Sequence, residues 1–354
     1  MRRVILFLLM LGTFLMGTAE MVAAGIVNMV SDDFQVSIAS AGQLVTAFSL
    51  AFAIGTPIIV TLVARVDRKK VTMISLGVFI MGNFLALWSP SFGFLMITRI
   101  VLGVSAGVFS VLALSIAANL VPREKIGNAI GTVSMGFGAA LVLGLPLGMM
   151  LGQLIGWRMI FLSLAILGLV VFFALTRLLP SIAGKTRPTI RKQLSIFKNV
   201  KIVCGLLVFL FAITGYSTVY TYIVPFFQEV VGLNPSVISL VMLLVGIFAT
   251  AGTRFGGFAA DRWGIARTVI ISLLLHTMAL IMLPIGSAWI ISVIILCSIW
   301  VMASNTTIPA MQSFFIHETS DSSEIALSAS SSVAHIGLAW GLVLVGFLLT
   351  SAIL

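Results

Sequence analysis

Residues 12–25 read Gly12-Thr-Phe-Leu-Met-Gly17-Thr-Ala-Glu20-Met-Val-Ala-Ala-Gly25. They lie inside an apolar run, 4–27, which is long enough to cross a bilayer as a helix. One carboxylate, Glu20, stands near its middle. An acid at that depth costs roughly 2.5–3.5 kcal/mol even on the most lenient insertion scale. Such a group is therefore protonated, paired, or turned toward water inside the protein. The small residues around it (Gly17, Thr18, Ala19, Ala23, Ala24, Gly25) let neighbouring helices approach and leave room beside the acid. Arg2 and Arg3 ahead of the run, with Ala23-Ala24 as a possible cleavage site toward its end, also fit a secretory leader. The buried Glu and the many apolar runs that follow favour a membrane helix with a protonatable site.

Composition agrees. Of 354 residues, 60% are hydrophobic and only 8% charged, and the mean hydropathy is +1.22. A water-soluble domain cannot hide that much apolar surface, so the chain reads as an all-α polytopic membrane protein. The net charge of +10 would suggest nucleic acid in a soluble protein. Here the bases fall in alternate loops, where orientation in the membrane accounts for them. Cys204, Cys297 and three histidines lack ligand spacing, so neither a disulfide framework nor a metal or other cofactor is expected.

Eleven spans are predicted: 4–27, 39–63, 71–89, 92–119, 127–152, 157–179, 202–225, 234–258, 267–285, 288–310 and 325–353. All must be helices, because lipid offers no partner for backbone polar groups. Loops after even spans carry Arg65, Arg68, Lys69, Lys70, Arg123, Lys125, a basic cluster from Lys185 to Lys198, Arg262 and Arg267. Loops after odd spans carry Asp32, Asp33 and Glu229, with Arg158 as the basic exception. The positive-inside rule then puts the N-terminus and the basic loops in the cytoplasm. Glu318, Asp321 and Glu324, between the last two spans, run against this pattern.

The polar, basic segment 180–200 divides a first bundle, 1–179, from a second, 201–354. The hairpins that follow spans two and eight align at an offset of 261 − 64 = 197, as expected of a parallel repeat. The second hairpin reads Gly257-x-x-x-Asp261-Arg262-x-Gly264-x-x-Arg267. In the first, Ala64 takes the place of the Asp, and Val60 and Asp67 replace the glycines. Gly257 permits close helix contact, Gly264 a tight turn, and Asp261 a helix cap or an ion pair. Span four carries Arg99-x-x-x-Gly103-x-x-x-Gly107. Span five carries Gly136-x-Gly138 and Gly144-Leu-Pro146-Leu-Gly148-x-x-x-Gly152, followed by Gly156-Trp157-Arg158. Pro146 removes a helix hydrogen bond.

These motifs resemble the signatures of the major facilitator superfamily, and the resemblance runs from the first span to the last. The Asp261 hairpin is similar to its cytoplasmic-loop motif. The Arg99 run resembles a fourth-span motif linked to proton coupling, and the Gly144–Gly148 run the motif that separates proton-driven exporters from importers. The chain looks most like the twelve-span bacterial drug or metabolite:proton antiporters, and within them purine base and nucleoside efflux pumps. Gly17-Thr-Ala-Glu20, Ser40-Ala-Gly-Gln-Leu44, residues 215–222 and Pro309-Ala-Met-Gln-Ser-Phe314 carry that likeness. The resemblance implies two six-helix bundles that rock around a central site. The offset would place the end of a twelfth span near residue 374, so the last helix of that plan is expected to be missing.

Candidate roles follow. Glu20 and Arg99 are expected to couple protons, although Arg99 near its span end also fits a snorkelling side chain. Tyr216 and Tyr220, one turn apart, suit stacking on a planar ligand or an interfacial aromatic belt. Asn305 and His335 suit either a ligand or helix-to-helix bonding. The resemblance implies proton-driven export of small organic molecules by a monomer in the bacterial inner membrane, not an enzymatic reaction, and with no Gly-rich nucleotide-binding loop in the sequence ATP drive is not expected. The alternatives are an uncoupled facilitator, a sugar or drug exporter of the same fold, and a non-transporting membrane protein.

Overall fold

The computed structural model describes residues 2–182, 196–286, 289–319 and 322–353. Among them there are helices and no strand. The helices are α1 (Arg2–Gly25), α2 (Val27–Phe34), α3 (Ile38–Leu62), α4 (Arg68–Leu87), α5 (Phe92–Asn119), α6 (Ile126–Ala139), α7 (Leu145–Ile155), α8 (Arg158–Leu178), α9 (Val200–Pro225), α10 (Pro235–Trp263), α11 (Ile265–Ile285), α12 (Ile290–Glu318) and α13 (Ser323–Ile353). A π-helical turn, Ala140–Gly144, joins α6 to α7, directly ahead of Pro146. It absorbs the break that the proline imposes. Ten stretches among the described residues are long and apolar enough to span a membrane. They follow the first ten expected spans, and α13 occupies the eleventh. Most of the expected linker, residues 183–195, lies outside the described residues, as does Asp321.

Helix starts follow local chemistry. Ser37, Asp67, Ser91, Asn199 and Asn234 each stand at an N-cap and accept a hydrogen bond from a backbone N–H of the first turn. Each removes a donor that would otherwise be orphaned at the edge of the membrane.

Packing is inside out relative to a soluble protein only at the surface. Ile54, Ile74, Phe173, Leu274 and Ile281 are largely exposed and point outward, as lipid permits. Phe48, Phe79, Phe109 and Phe161 are fully buried in one core built mainly from α1–α8, which Ile316 of α12 and Leu327 of α13 join. Trp300 and Phe227 anchor one core in α9–α13, and Phe209 and Phe315 another. The deepest helix is α5. A side chain at Gly103 would strike the Phe48 carbonyl, and one at Gly107 would strike Thr56, so α3 and α5 meet through their backbones.

The first half (α1–α8) and the second (α9–α13) touch along α6 against α10 and α13 against α3. Gly127 and Gly131 face Gly257 at the end of the molecule that carries the basic hairpins, called here the basic end. Nearer mid-depth the Ser134 hydroxyl bonds Gln312 Oε1 at 2.7 Å. On the other contact, the Ser332 hydroxyl donates to the Ala53 carbonyl.

Candidate central cavity and gate

Between the halves lies a cavity of about 250 Å³ with walls from both. Glu20 of α1 lines it, its side chain 17% exposed. Three features place that carboxylate. First, the motif glycines of α6 and α7 let α1 settle against them. Side chains at Gly136 and Gly144 would collide with Thr13 and Thr18, and one at Gly148 would come 2.6 Å from Val22. Second, the Thr13 hydroxyl bonds the Val133 carbonyl at 2.7 Å, locking the register of α1 on α6. Third, Arg99 grips α1 from α5.

Arg99 is fully buried and does not snorkel. Its Nη1 donates to the Ala19 carbonyl at 2.8 Å, Nε to the Leu44 carbonyl at 3.2 Å, and Nη2 to the Glu20 carbonyl at 3.5 Å. The guanidinium lies 4.5 Å from the Phe48 ring centroid. Its hydrogen bonds are thus to main-chain oxygens of α1 and α3, which leaves the Glu20 carboxylate facing the cavity. Across the cavity His335 Nδ1 of α13 stands 3.7 Å from Glu20 Oε1, without hydrogen-bond alignment. The imidazole packs on Phe52 of α3, with ring centroids 4.3 Å apart.

Apart from His335, the second-half wall is aromatic and polar, without carboxylates or basic side chains among the described lining residues. Tyr216 and Asn305 both line the cavity, and Asn305 donates to the Val301 carbonyl at 2.9 Å. Tyr216 stacks on Tyr220 at 5.4 Å and on Trp300 at 5.5 Å. Tyr220 stands behind Tyr216, outside the lining. The tyrosines therefore already have ring partners, and only Tyr216 presents an edge to the cavity.

At the basic end, Asp261 accepts from the backbone N–H groups of Gly127 and Asn128, both at 2.7 Å. A carboxylate from the second half thus caps helix α6 of the first, where unsatisfied N–H groups and the helix dipole attract an anion. Gly257 permits the approach, since any side chain there would meet the Gly127 carbonyl. Gly264 turns the chain at φ +88°, which suits glycine. Arg262 is exposed in the hairpin.

The sequence reading missed Phe52, Ser134 and Gln312 in the cavity, and Arg254 on α10. Arg254 carried a visible signal, as a long polar side chain inside the expected span 234–258, whereas Gln312 fell just past the expected end of the tenth span at 310. Arg254 lies two turns before Asp261 and leaves one Nη without a hydrogen bond.

The family model of the Major Facilitator Superfamily matches residues 9–351. The chain belongs to this superfamily. Among curated relatives, an uncharacterised MFS-type transporter of Bacillus subtilis, YbcL, is 36% identical over 95% of this chain and 86% of its own length. The inner membrane transport protein YdhP of Escherichia coli K12 is 28% identical over the same shares. Among solved structures, the superfamily's proton:xylose symporter XylE superposes with a TM-score of 0.77 at 17% identity, over 95% of this chain and 86% of that one. The human organic anion transporter MFSD10 follows at 0.75 and 15%, over 96% and 91%. This chain is accordingly a multi-pass transporter with the fold of its superfamily.

Proposed function

We propose that the protein exports small organic molecules in exchange for protons. The observation that carries this reading is the Glu20–His335 pair, one group from each half, facing one another across the cavity at 3.7 Å. Ionised Glu20 attracts a protonated His335 and draws the halves together. A proton on Glu20 removes that attraction without removing either side chain. The pair thereby ties a proton to the relative position of the halves, as exchange requires. The bundles 1–179 and 201–354 rock as bodies, joined through 180–200, with the N-terminus and basic end in the cytoplasm.

Export is favoured by the Gly144-Leu-Pro146-Leu-Gly148 run, whose glycines seat α6 and α7 on the helix that carries Glu20. The aromatic edge of Tyr216 beside Asn305 suits a flat, neutral or amphipathic substrate with polar edges, such as a purine base, a nucleoside or a planar drug. The protein works as a monomer.

A metabolite efflux screen in overexpressing cells names the substrate. Inverted vesicles with an imposed pH gradient then test the coupling, read by a fluorescent pH-gradient probe as substrate is added. Wild type dissipates the gradient when substrate enters. Glu20→Gln inserts normally, binds substrate and leaves the gradient untouched. Proton movement at the wild-type rate in Glu20→Gln overturns the assignment, and substrate exchange with no proton movement in either protein identifies an uncoupled facilitator.

A further inference from the structure

The two basic hairpins close the same end of the molecule with different chemistry. In the second half Asp261 crosses to the start of α6. The repeat offset maps Asp261 onto Ala64 and Gly127 onto Glu324. The equivalent contact in the first half would therefore run from residue 64 to residue 324. An acid is present there, on the opposite partner: Ala64 has none, while Glu324 stands in the first turn of α13.

Glu324 is not idle. Its Oε2 lies 2.6 Å from Arg68 Nη2, with the two side chains 7% and 3% exposed. The contact is a charge contact without hydrogen-bond alignment. Glu324 Oε1 accepts from the Ser115 hydroxyl of α5 at 2.9 Å. Arg68 in turn donates through Nη1 to the Ala64 carbonyl at 3.1 Å. One second-half acid is thus held by two first-half helices, α4 and α5.

We infer that Glu324, Arg68 and Ser115 form a second gate latch, in which the acid of the hairpin motif has been transposed to the helix it would otherwise cap. The exchange of sides explains the cation. Asp261 is held by backbone N–H groups, with Arg254 and His317 acting on it only at a distance, and Ile265 stands where Arg68 would be. Glu324 sits on the helix itself and cannot be capped by its neighbour, so the opposing hairpin supplies a guanidinium. Its place in the first turn of α13 also suits the positive end of that helix. Burial makes each partner depend on the other while the gate is shut: removing one leaves the other charge enclosed and uncompensated, whereas opening the gate exchanges the pair for hydration of both charges. This goes beyond the coupling pair, but it rests on the reading that the halves rock.

The test uses the full chain with Cys204→Ser and Cys297→Ala, and a reporter, Ser331→Cys, in the cavity wall. A membrane-impermeant maleimide is applied to vesicles that expose the basic end. The parent labels slowly. Glu324→Gly and Arg68→Gln each label about tenfold faster or more, as expected when one partner of a buried pair is removed. Returning the acid to the hairpin side of the interface, Ala64→Asp with Glu324→Gly, brings the rate back to within about twofold of the parent, because the carboxylate at position 64 then caps α13 as Asp261 caps α6. Where Glu324→Gly fails to insert, Arg68→Gln reads the same loss. Parent-like labelling in Arg68→Gln and in any inserted Glu324→Gly, with Asp261→Asn accelerated, overturns the latch alone. If Asp261→Asn is also unchanged, the rocking reading falls with it. A double variant as reactive as Glu324→Gly overturns the transposition.

Discussion

The two walls of the central cavity are built on opposite principles. The wall from α1–α8 buries charge: Arg99 is fully enclosed and Glu20 faces the lumen. The wall from α9–α13 buries rings: Tyr216 leans on Trp300 and Tyr220, and His335 is that wall's only titratable lining residue among the described ones apart from Tyr216. The guanidinium on the first wall is hydrogen-bonded to main-chain carbonyls and acts on the Glu20 carboxylate only at a distance, with no ion pair between the two side chains among the described residues. The carboxylate's nearest charged or chargeable side-chain contact, His335, comes from the other half. A wall that holds a charge in tension and a wall that offers flat apolar surface divide the work into coupling and binding.

The largest expected effect breaks the first wall. Arg99→Ala removes hydrogen bonds to α1 and α3 and leaves their carbonyls unsatisfied, at a cost of roughly 3 kcal/mol or more. Arg99→Lys does not restore the loss, because one ammonium cannot reproduce a planar fork that serves two helices. Thermal unfolding in detergent, followed by size-exclusion fluorescence, measures both. A lysine variant as stable as wild type would show that charge alone, and not the fork, holds α1 in place.

The second wall gives a smaller effect. Tyr216→Ala weakens substrate binding by about 1 kcal/mol, the scale of an aromatic contact. Tyr216→Phe keeps the stack on Trp300 and loses less. Neither shifts the pH profile of transport, which belongs to the first wall. Equal losses for Ala and Phe would move the weight from the ring to the hydroxyl.

Much of this contrast was legible in the chain. The bilayer forces its spans to be helices, so their number and ends follow from hydropathy. Glycines that permit close backbone approach declare themselves by spacing, as at Gly144, Gly148 and Gly257. Glu20 stands out because an acid in an apolar run needs a reason. Partners chosen in space were hidden. Trp300 is far in sequence from Tyr216, and nothing local announces their stack. The sequence leaves Arg99 a choice between coupling and snorkelling, and only the carbonyls of α1 and α3 resolve where the guanidinium goes. Glu324 was visible, but as an acid that contradicts the loop charge pattern; its meaning depends on Arg68 across the interface.

The smallest effect sharpens the contrast between the hairpins themselves. Asp67 occupies the position that Gly264 holds in the second half, yet unlike Asp261 it does not cross the interface. It caps its own helix, accepting from Lys70 N–H at 3.0 Å, and accepts the Ser181 hydroxyl at 2.5 Å. The Ser181 bond, helped by backbone donors, holds its carboxyl below the usual value of 3.8 despite slight burial. A carboxyl lowered in the folded protein stabilises it fully above the unfolded value, and that contribution fades as pH falls through the folded one. Asp67→Ala should therefore cost about 1 kcal/mol at neutral pH, the usual worth of an N-cap. The difference from wild type should shrink as the medium is acidified below that value. Labelling of the cavity reporter from the basic end should not change, whereas Asp261→Asn should accelerate it. If Asp67→Ala opens the gate as Asp261→Asn does, the first hairpin's own acid takes part in closure, and the division between a local cap and a crossing latch is wrong.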